Sequence, residues 1–227
     1  MRGSGAPTTV APGGRRARNL VVLAAFLAAG LVAVTVWVLA AHLRPTAWDV
    51  ALHTAGLHHR AAGLTAVGVA VSASSEYLAY VVAAVGTMLA LRPRPWWFGL
   101  VAGVLVLAVG QGVRVGVAAA IGRSRPPRAD WEMHAAGFSF PSGHTATATL
   151  AAGLLCLGLI RCVRSAWRVV VVTVLVLWAL VDGIGRVYLG VHWPTDVVAG
   201  WLLGALLTVL AAALFARVRT SRVRRGS

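Results

Sequence analysis

The stretch Gly185-Arg186-Val187-Tyr188-Leu189-Gly190-Val191-His192-Trp193-Pro194-Thr195-Asp196 separates two long apolar runs, Val169 to Tyr188 and Pro194 to Ala216. A run of roughly 20 apolar residues is long enough to cross a bilayer as a helix, so this stretch reads as a turn between two spans. Pro194 suits the first position of a helix, which needs no N–H and accepts the fixed φ of proline. Asp196 then falls in the first helical turn, where the helix dipole favours a carboxylate. Arg186, His192 and Asp196 follow the spacing Arg-x5-His-x3-Asp. A carboxylate that holds one imidazole nitrogen leaves the other free to attack or to move a proton. The planar, permanently charged fork of Arg186 suits a phosphate. The plainer reading is a set of boundary residues at a membrane surface, and the rest of the chain decides between the two.

Composition points to a membrane protein. The 227 residues are 59% hydrophobic and 12% charged, and the mean hydropathy is +0.79. A soluble domain carries roughly twice that charge. All 21 basic residues are Arg, against six acidic residues, for a formal charge of +15. Such a balance can mark a nucleic-acid binder. Here, however, the arginines cluster at the ends of apolar runs, which is a topology signal and argues against a nucleic-acid partner. Cys156 and Cys162 have no metal-ligand spacing and read as packing residues.

In chain order, Met1 to Asn19 reads as a disordered basic tail, followed by a span from Leu20 to Ala40. That run is too long for the apolar region of a signal peptide, about 7–15 residues. Arg44 to Arg60 reads as an interfacial helix with Trp48 at headgroup level and with His53, His58 and His59 solvated. Ala61 to Leu91 is too long for one ordinary span, so the crossing part is expected near Val71 to Leu91 after a helical lead-in. It carries Glu76, for which Arg114 in the next span is the natural partner; an acidic residue inside a span is a functional candidate by default. Further spans are expected over Phe98–Ile121, Ser142–Ile160, Val169–Tyr188 and Pro194–Ala216, with a basic tail over residues 218–227. The domain is therefore expected to occupy residues 20–217. Six spans place both termini on one side, and that side holds twice as many arginines as the other. By the positive-inside rule the termini are expected in the cytoplasm of a multi-pass plasma-membrane protein. The fold class expected is all-α, a polytopic bundle of six transmembrane helices. Its polar loops, and with them an active site, are expected at the outer, extracytoplasmic face.

Three polar segments sit at that end: Gly122-Arg123-Ser124-Arg125-Pro126, Phe140-Pro141-Ser142-Gly143-His144, and the stretch quoted first. Two histidines, several arginines and one orienting carboxylate suit phosphoryl transfer through a phosphohistidine. That chemistry rests on positioning and on cations facing the phosphoryl oxygens. Ser142 and Gly143 at a helix start would add backbone N–H donors for an anion, and Gly143 would let a phosphate approach closely. Asp182, four residues before Arg186, is placed to pair with it on one helix face. Asp130, Trp131, Glu132 and His134 read as solvated loop residues.

These segments, in this order, resemble the type-2 phosphatidic acid phosphatases, the lipid phosphate phosphatase branch of the superfamily that includes vanadium haloperoxidases. The family carries Lys-x6-Arg-Pro, then Pro-Ser-Gly-His, then Ser-Arg-x5-His-x3-Asp. Arg125-Pro126 matches the end of the first motif, Pro141 to His144 the second in full, and Arg186, His192 and Asp196 the third. The resemblance implies that His192 is the nucleophile, Asp196 its orienting partner, and His144 the group that protonates the leaving oxygen and then activates water. It implies that Arg125, Arg186, Ser142 and Gly143 hold the phosphate and that neither metal nor cofactor is needed. Two positions depart: Gly185 replaces a frequent Ser, and Ala118 stands where the family has its phosphate-binding Lys. Arg114, one helical turn earlier on the same face, and Arg123 are both candidates to replace that cation. The implied substrate is a lipid phosphate or diphosphate, with undecaprenyl diphosphate, phosphatidic acid and phosphatidylglycerol phosphate all family possibilities. The rival readings are a catalytically impaired relative that binds phospholipid and a small transporter.

Overall fold

The structure, a computed structural model, describes residues 12–163 and 165–223. Among these, regular structure is helical throughout: α1 (Pro12–Ala40), α2 (Ala47–His58), α3 (Ala62–Tyr77), α4 (Ala79–Ala90), α5 (Trp96–Ile121), α6 (Gly143–Cys162), α7 (Ser165–Tyr188) and α8 (Pro194–Val223). Five helices are long and apolar enough to cross a membrane, and α3 with α4, taken as one bent span, makes six. Helix α1 begins at Pro12, well before the apolar run, so part of the expected N-terminal tail is helical. Residues 1–11 and 224–227 of the two expected tails lie outside the described residues.

The second span is not a straight helix with a lead-in. Helices α3 and α4 meet at 52°. The serines before the junction give a physical reason. Ser74 Oγ and Ser75 Oγ both donate to the carbonyl of Val71, at 2.6 and 3.2 Å. Hydroxyls that bond back onto the preceding turn compete for its carbonyls and bend helices. The bend lets α3 lie against α7 while α4 packs against α5 and α6.

Close helix approach rather than bulk holds the α4–α6 contact. A Cβ on Gly86 would collide with the backbone of Leu154 and Leu155, and one on Gly158 with the Gly86 carbonyl. Small residues that let backbones touch are the usual device inside a bilayer, where lipid is as apolar as leucine. Around this contact Ala83, Leu107, Leu150, Leu154 and Phe215 form the main buried cluster, contributed by α4, α5, α6 and α8.

The ends of four helices frame the three polar segments at one end of the bundle: the C-termini of α5 and α7 and the N-termini of α6 and α8. Helix α2 lies at this end, with Trp48 stacked against Trp37 of α1 at 6.3 Å between centroids. Its start is fixed by a reciprocal cap, in which Thr46 Oγ1 accepts from the Asp49 N–H and Asp49 Oδ2 from the Thr46 N–H. His53 is not solvated. It is 5% exposed, sits 3.0 Å from Asp130 Oδ2 and packs against the Trp193 ring. The acidic loop residues are likewise engaged, since Arg60 donates to the Asp130 carbonyl and to Glu132 Oε1.

Candidate active site

Each polar segment reaches the site by a simple local device. Pro194 opens α8, and Asp196 in its first turn accepts the Trp193 N–H on Oδ2 at 2.9 Å. That bond tightens the turn and leaves the same oxygen 3.5 Å from His192 Nδ1. The other ring nitrogen, Nε2, lies 2.9 Å from Arg125 Nη1. A guanidinium can only donate, so Nε2 carries the lone pair and Nδ1 the proton that faces Asp196. His192 is thus held in one tautomer, with its unprotonated nitrogen beside a cation. Burial first, and then the charges of Arg125, Arg186 and Arg114, push its pKa well below the ordinary 6.5. The ring is neutral at physiological pH.

Arg125 is fixed by the loop before α6. Its Nε donates to the Gly137 carbonyl at 3.0 Å, its Nη2 to Ala136 at 2.8 Å, and its Nη1 also to Val191 at 2.8 Å. Burial, offset in part by Asp196 and reinforced by Arg114, lowers its pKa to about 10, which leaves it charged. Arg186 in the last turn of α7 is 1% exposed. Its Nη1 donates to Ser72 Oγ at 2.7 Å and touches Met133 Sδ. No ion pair within 4 Å forms between Arg186 and Asp182, so the hydroxyl of α3 aims this guanidinium where an i,i+4 carboxylate was expected.

The start of α6 carries Ser142 as N-cap, followed by Gly143 and His144. Ser142 is fully buried, its Oγ paired with Thr145 Oγ1 at 2.9 Å and its N–H donated to the Asp196 carbonyl at 2.9 Å. Ser142 therefore ties α6 to α8. The next N–H groups of the first turn have no partner within their own helix. Arg114 reaches this point from α5: its guanidinium lies against Gly143, where a Cβ would collide with it. The absence of a side chain at Gly143 leaves room for that cation at the helix start. His144 Nε2 sits 3.8 Å from Glu76 Oε2, and His192, Arg186, Arg125 and Arg114 are all within electrostatic range of its ring. Glu76 thus faces His144, not Arg114 as its depth in the chain suggested.

Arg123 is placed differently from the other arginines. It is fully buried, and its guanidinium is divided between Asp196 Oδ1 at 2.5 Å and Asp49 Oδ2 at 2.8 Å, with Thr195 Oγ1 at 2.7 Å. Its remaining reach goes to the carbonyls of Leu43 and Arg44. It lies behind Asp196, on the side away from His192 Nε2. Asp49 was not singled out by the sequence reading; its one signal was an acidic residue at the start of an amphipathic surface segment.

The model of the PAP2 superfamily matches residues 66–220, most of the chain. The protein belongs to the PAP2 superfamily. Among curated relatives, it is 36% identical to an undecaprenyl-diphosphatase of Sulfolobus acidocaldarius over 33% of this chain and 32% of that one. It is 35% identical to phosphatidylglycerophosphatase B of Bacillus subtilis over 40% and 45% of the two chains. It is 38% identical to a lipid A 4'-phosphatase of Bacteroides thetaiotaomicron over 37% and 36%. The matched stretches thus span from about a third to under half the length of these relatives. A solved structure, the transmembrane PAP2-type phosphatidylglycerolphosphate phosphatase of Bacillus subtilis, superposes with a TM-score of 0.69 at 26% identity, covering 88% of this chain and 96% of that one. The all-helical membrane architecture is therefore that of the superfamily.

Proposed function

We propose that this PAP2 protein is a membrane phosphatase for lipid phosphates or diphosphates, working through a phosphohistidine at His192. The observation that carries the reading is the presentation of His192 Nε2, held 2.9 Å from Arg125 with its proton on the Asp196 side. In the first step Nε2 attacks phosphorus and the bond from phosphorus to the lipid oxygen breaks. His144 gives that oxygen its proton. In the second step His144 takes a proton from water, whose oxygen attacks phosphorus and frees His192 and inorganic phosphate. Asp196 supports the ring while it is cationic. Arg125, Arg186 and Arg114 face the phosphoryl oxygens, with the first N–H groups of α6.

Arg114 takes the place of the Lys missing at Ala118, on the strength of its contact with Gly143. Arg123 serves structure at Asp196, because its donors are already spent on two carboxylates. The arginine distribution supports cytoplasmic termini and a site on the extracytoplasmic face of the plasma membrane. The reading is tested by phosphate release from a panel of lipid phosphates by purified protein in detergent with EDTA, beside His192→Ala. Release by the wild type alone is expected. Release that needs added divalent metal, or that survives His192→Ala, would remove it.

A further inference from the structure

The site holds a second buried carboxylate that the superfamily model does not reach. Asp49 lies in α2, outside the matched residues 66–220. It is fully buried, yet every acceptor position is used. Oδ1 accepts from the Thr195 N–H at 2.9 Å. Oδ2 accepts from the Thr46 N–H at 3.0 Å and from Arg123 Nη2 at 2.8 Å. The Thr195 hydroxyl, which accepts from Arg123 Nη1, lies 2.9 and 3.0 Å from the two Asp49 oxygens. Burial alone would push the Asp49 carboxyl up. The donors Thr195, Thr46 and Arg123 outweigh it and hold the pKa below the ordinary 3.8.

We infer that Asp49 is a positioning residue for the reaction, acting on the Asp196 carboxylate through Arg123 and Thr195. The inference rests on the phosphohistidine reading above. One guanidinium shared by two carboxylates leaves the group with one net negative charge. That charge sits behind His192 Nδ1, where the ring becomes cationic once Nε2 bonds to phosphorus. Without the Asp49 charge, Arg123 neutralises Asp196 outright, and the cationic ring loses its counter-charge where Arg123, His192 and Asp196 are all buried and charges interact strongly. Asp49 also fixes Thr195, and so the first turn of α8 that carries Asp196. None of the phosphate-facing arginines touches Asp49, so substrate binding is untouched.

The test is steady-state kinetics of the full chain in detergent, with a lipid phosphate that the wild type hydrolyses. Asp49→Asn keeps size and most hydrogen bonds but removes the charge. A fall in kcat of about tenfold or more is expected, with KM within about twofold, in protein that elutes as the wild type does. Thr195→Val breaks the same link from the other side. Its kcat is expected to fall several-fold, Thr195→Ser is expected to recover most of that loss, and the two lesions are expected to combine less than additively. A merely structural Asp49 gives a lower Tm and an unchanged kcat in both variants, and that result overturns the inference. If Asp49→Asn does not fold, the Val and Ser variants at position 195 decide alone. A wild type that releases no phosphate from any lipid phosphate would instead remove the phosphatase reading, and this inference with it.

Discussion

Loss of the Arg114 guanidinium is the sharpest probe of how this chain manages without the motif lysine. The side chain reaches the start of α6 from α5 and lies against Gly143, beside His144. A hydrogen bond to a charged group contributes about 1.5–3 kcal/mol. If Arg114 makes one such bond to a phosphoryl oxygen, Arg114→Ala lowers kcat/KM by about 10- to 150-fold, at 1.36 kcal/mol per tenfold. The variant retains its fold, because Arg114 has no ion-pair partner within 4 Å to strand. The assay is phosphate release against substrate concentration in mixed micelles. Adding Ala118→Lys to Arg114→Ala returns a cation to the family position, one turn nearer the helix end, and is expected to regain much of the loss. Wild-type kcat/KM in Arg114→Ala would refute the substitution of one cation for the other.

Three further outcomes follow from geometry already described. Glu76→Gln removes the charge 3.8 Å from His144 Nε2; a solvent-exposed pair is worth about 0.2–1 kcal/mol, so kcat should fall by no more than about fivefold, and a larger loss in the kinetic assay would place Glu76 in the chemistry itself. Because burial holds His192 below its ordinary 6.5, the unfolded chain takes up a proton that the folded one refuses; stability should fall by about 1 kcal/mol per pH unit below 6.5. Thermal unfolding at two pH values checks this, since His192→Ala should lose that slope and an equal slope in both proteins would contradict it. Gly86→Ala drives a methyl into the backbone of α6 and should cost about 1–3 kcal/mol by overpacking, read as a lower Tm in the same scan, while an unchanged Tm would mean the contact is looser than drawn.

Much of the site was legible in the sequence because its parts are local. Pro194 and Asp196 define a helix start, and Pro141 to His144 another, so spacing alone places their side chains. Several spans could be read because apolar length is a strong signal, and five helices are long and apolar enough to cross a membrane, or six if α3 and α4 form one bent span. What was missed depends on contacts between distant segments. Nothing near Asp49 announces Arg123, 74 residues away, and nothing near Arg186 announces Ser72, 114 residues away. His53 looked solvated because its partners, Asp130 and Trp193, arrive from other loops. The bend between α3 and α4 was readable in part. Ser72, Ser74 and Ser75 stand beside Glu76 in the sequence as polar residues in an apolar run, but the bond of Ser74 and Ser75 back onto Val71 shows only in the fold.

The tie between Asp49 and Thr195 joins residues 146 positions apart. Helix α2 and Arg123 are both made before α8 during synthesis, so Asp49 can meet Arg123 early, whereas Thr195 and Asp196 come only with α8. On the proposed mechanism, a nascent protein with five spans in the bilayer holds its arginines, and His192 at most without the carboxylate behind it, so hydrolytic competence waits for α8 to bring Asp196.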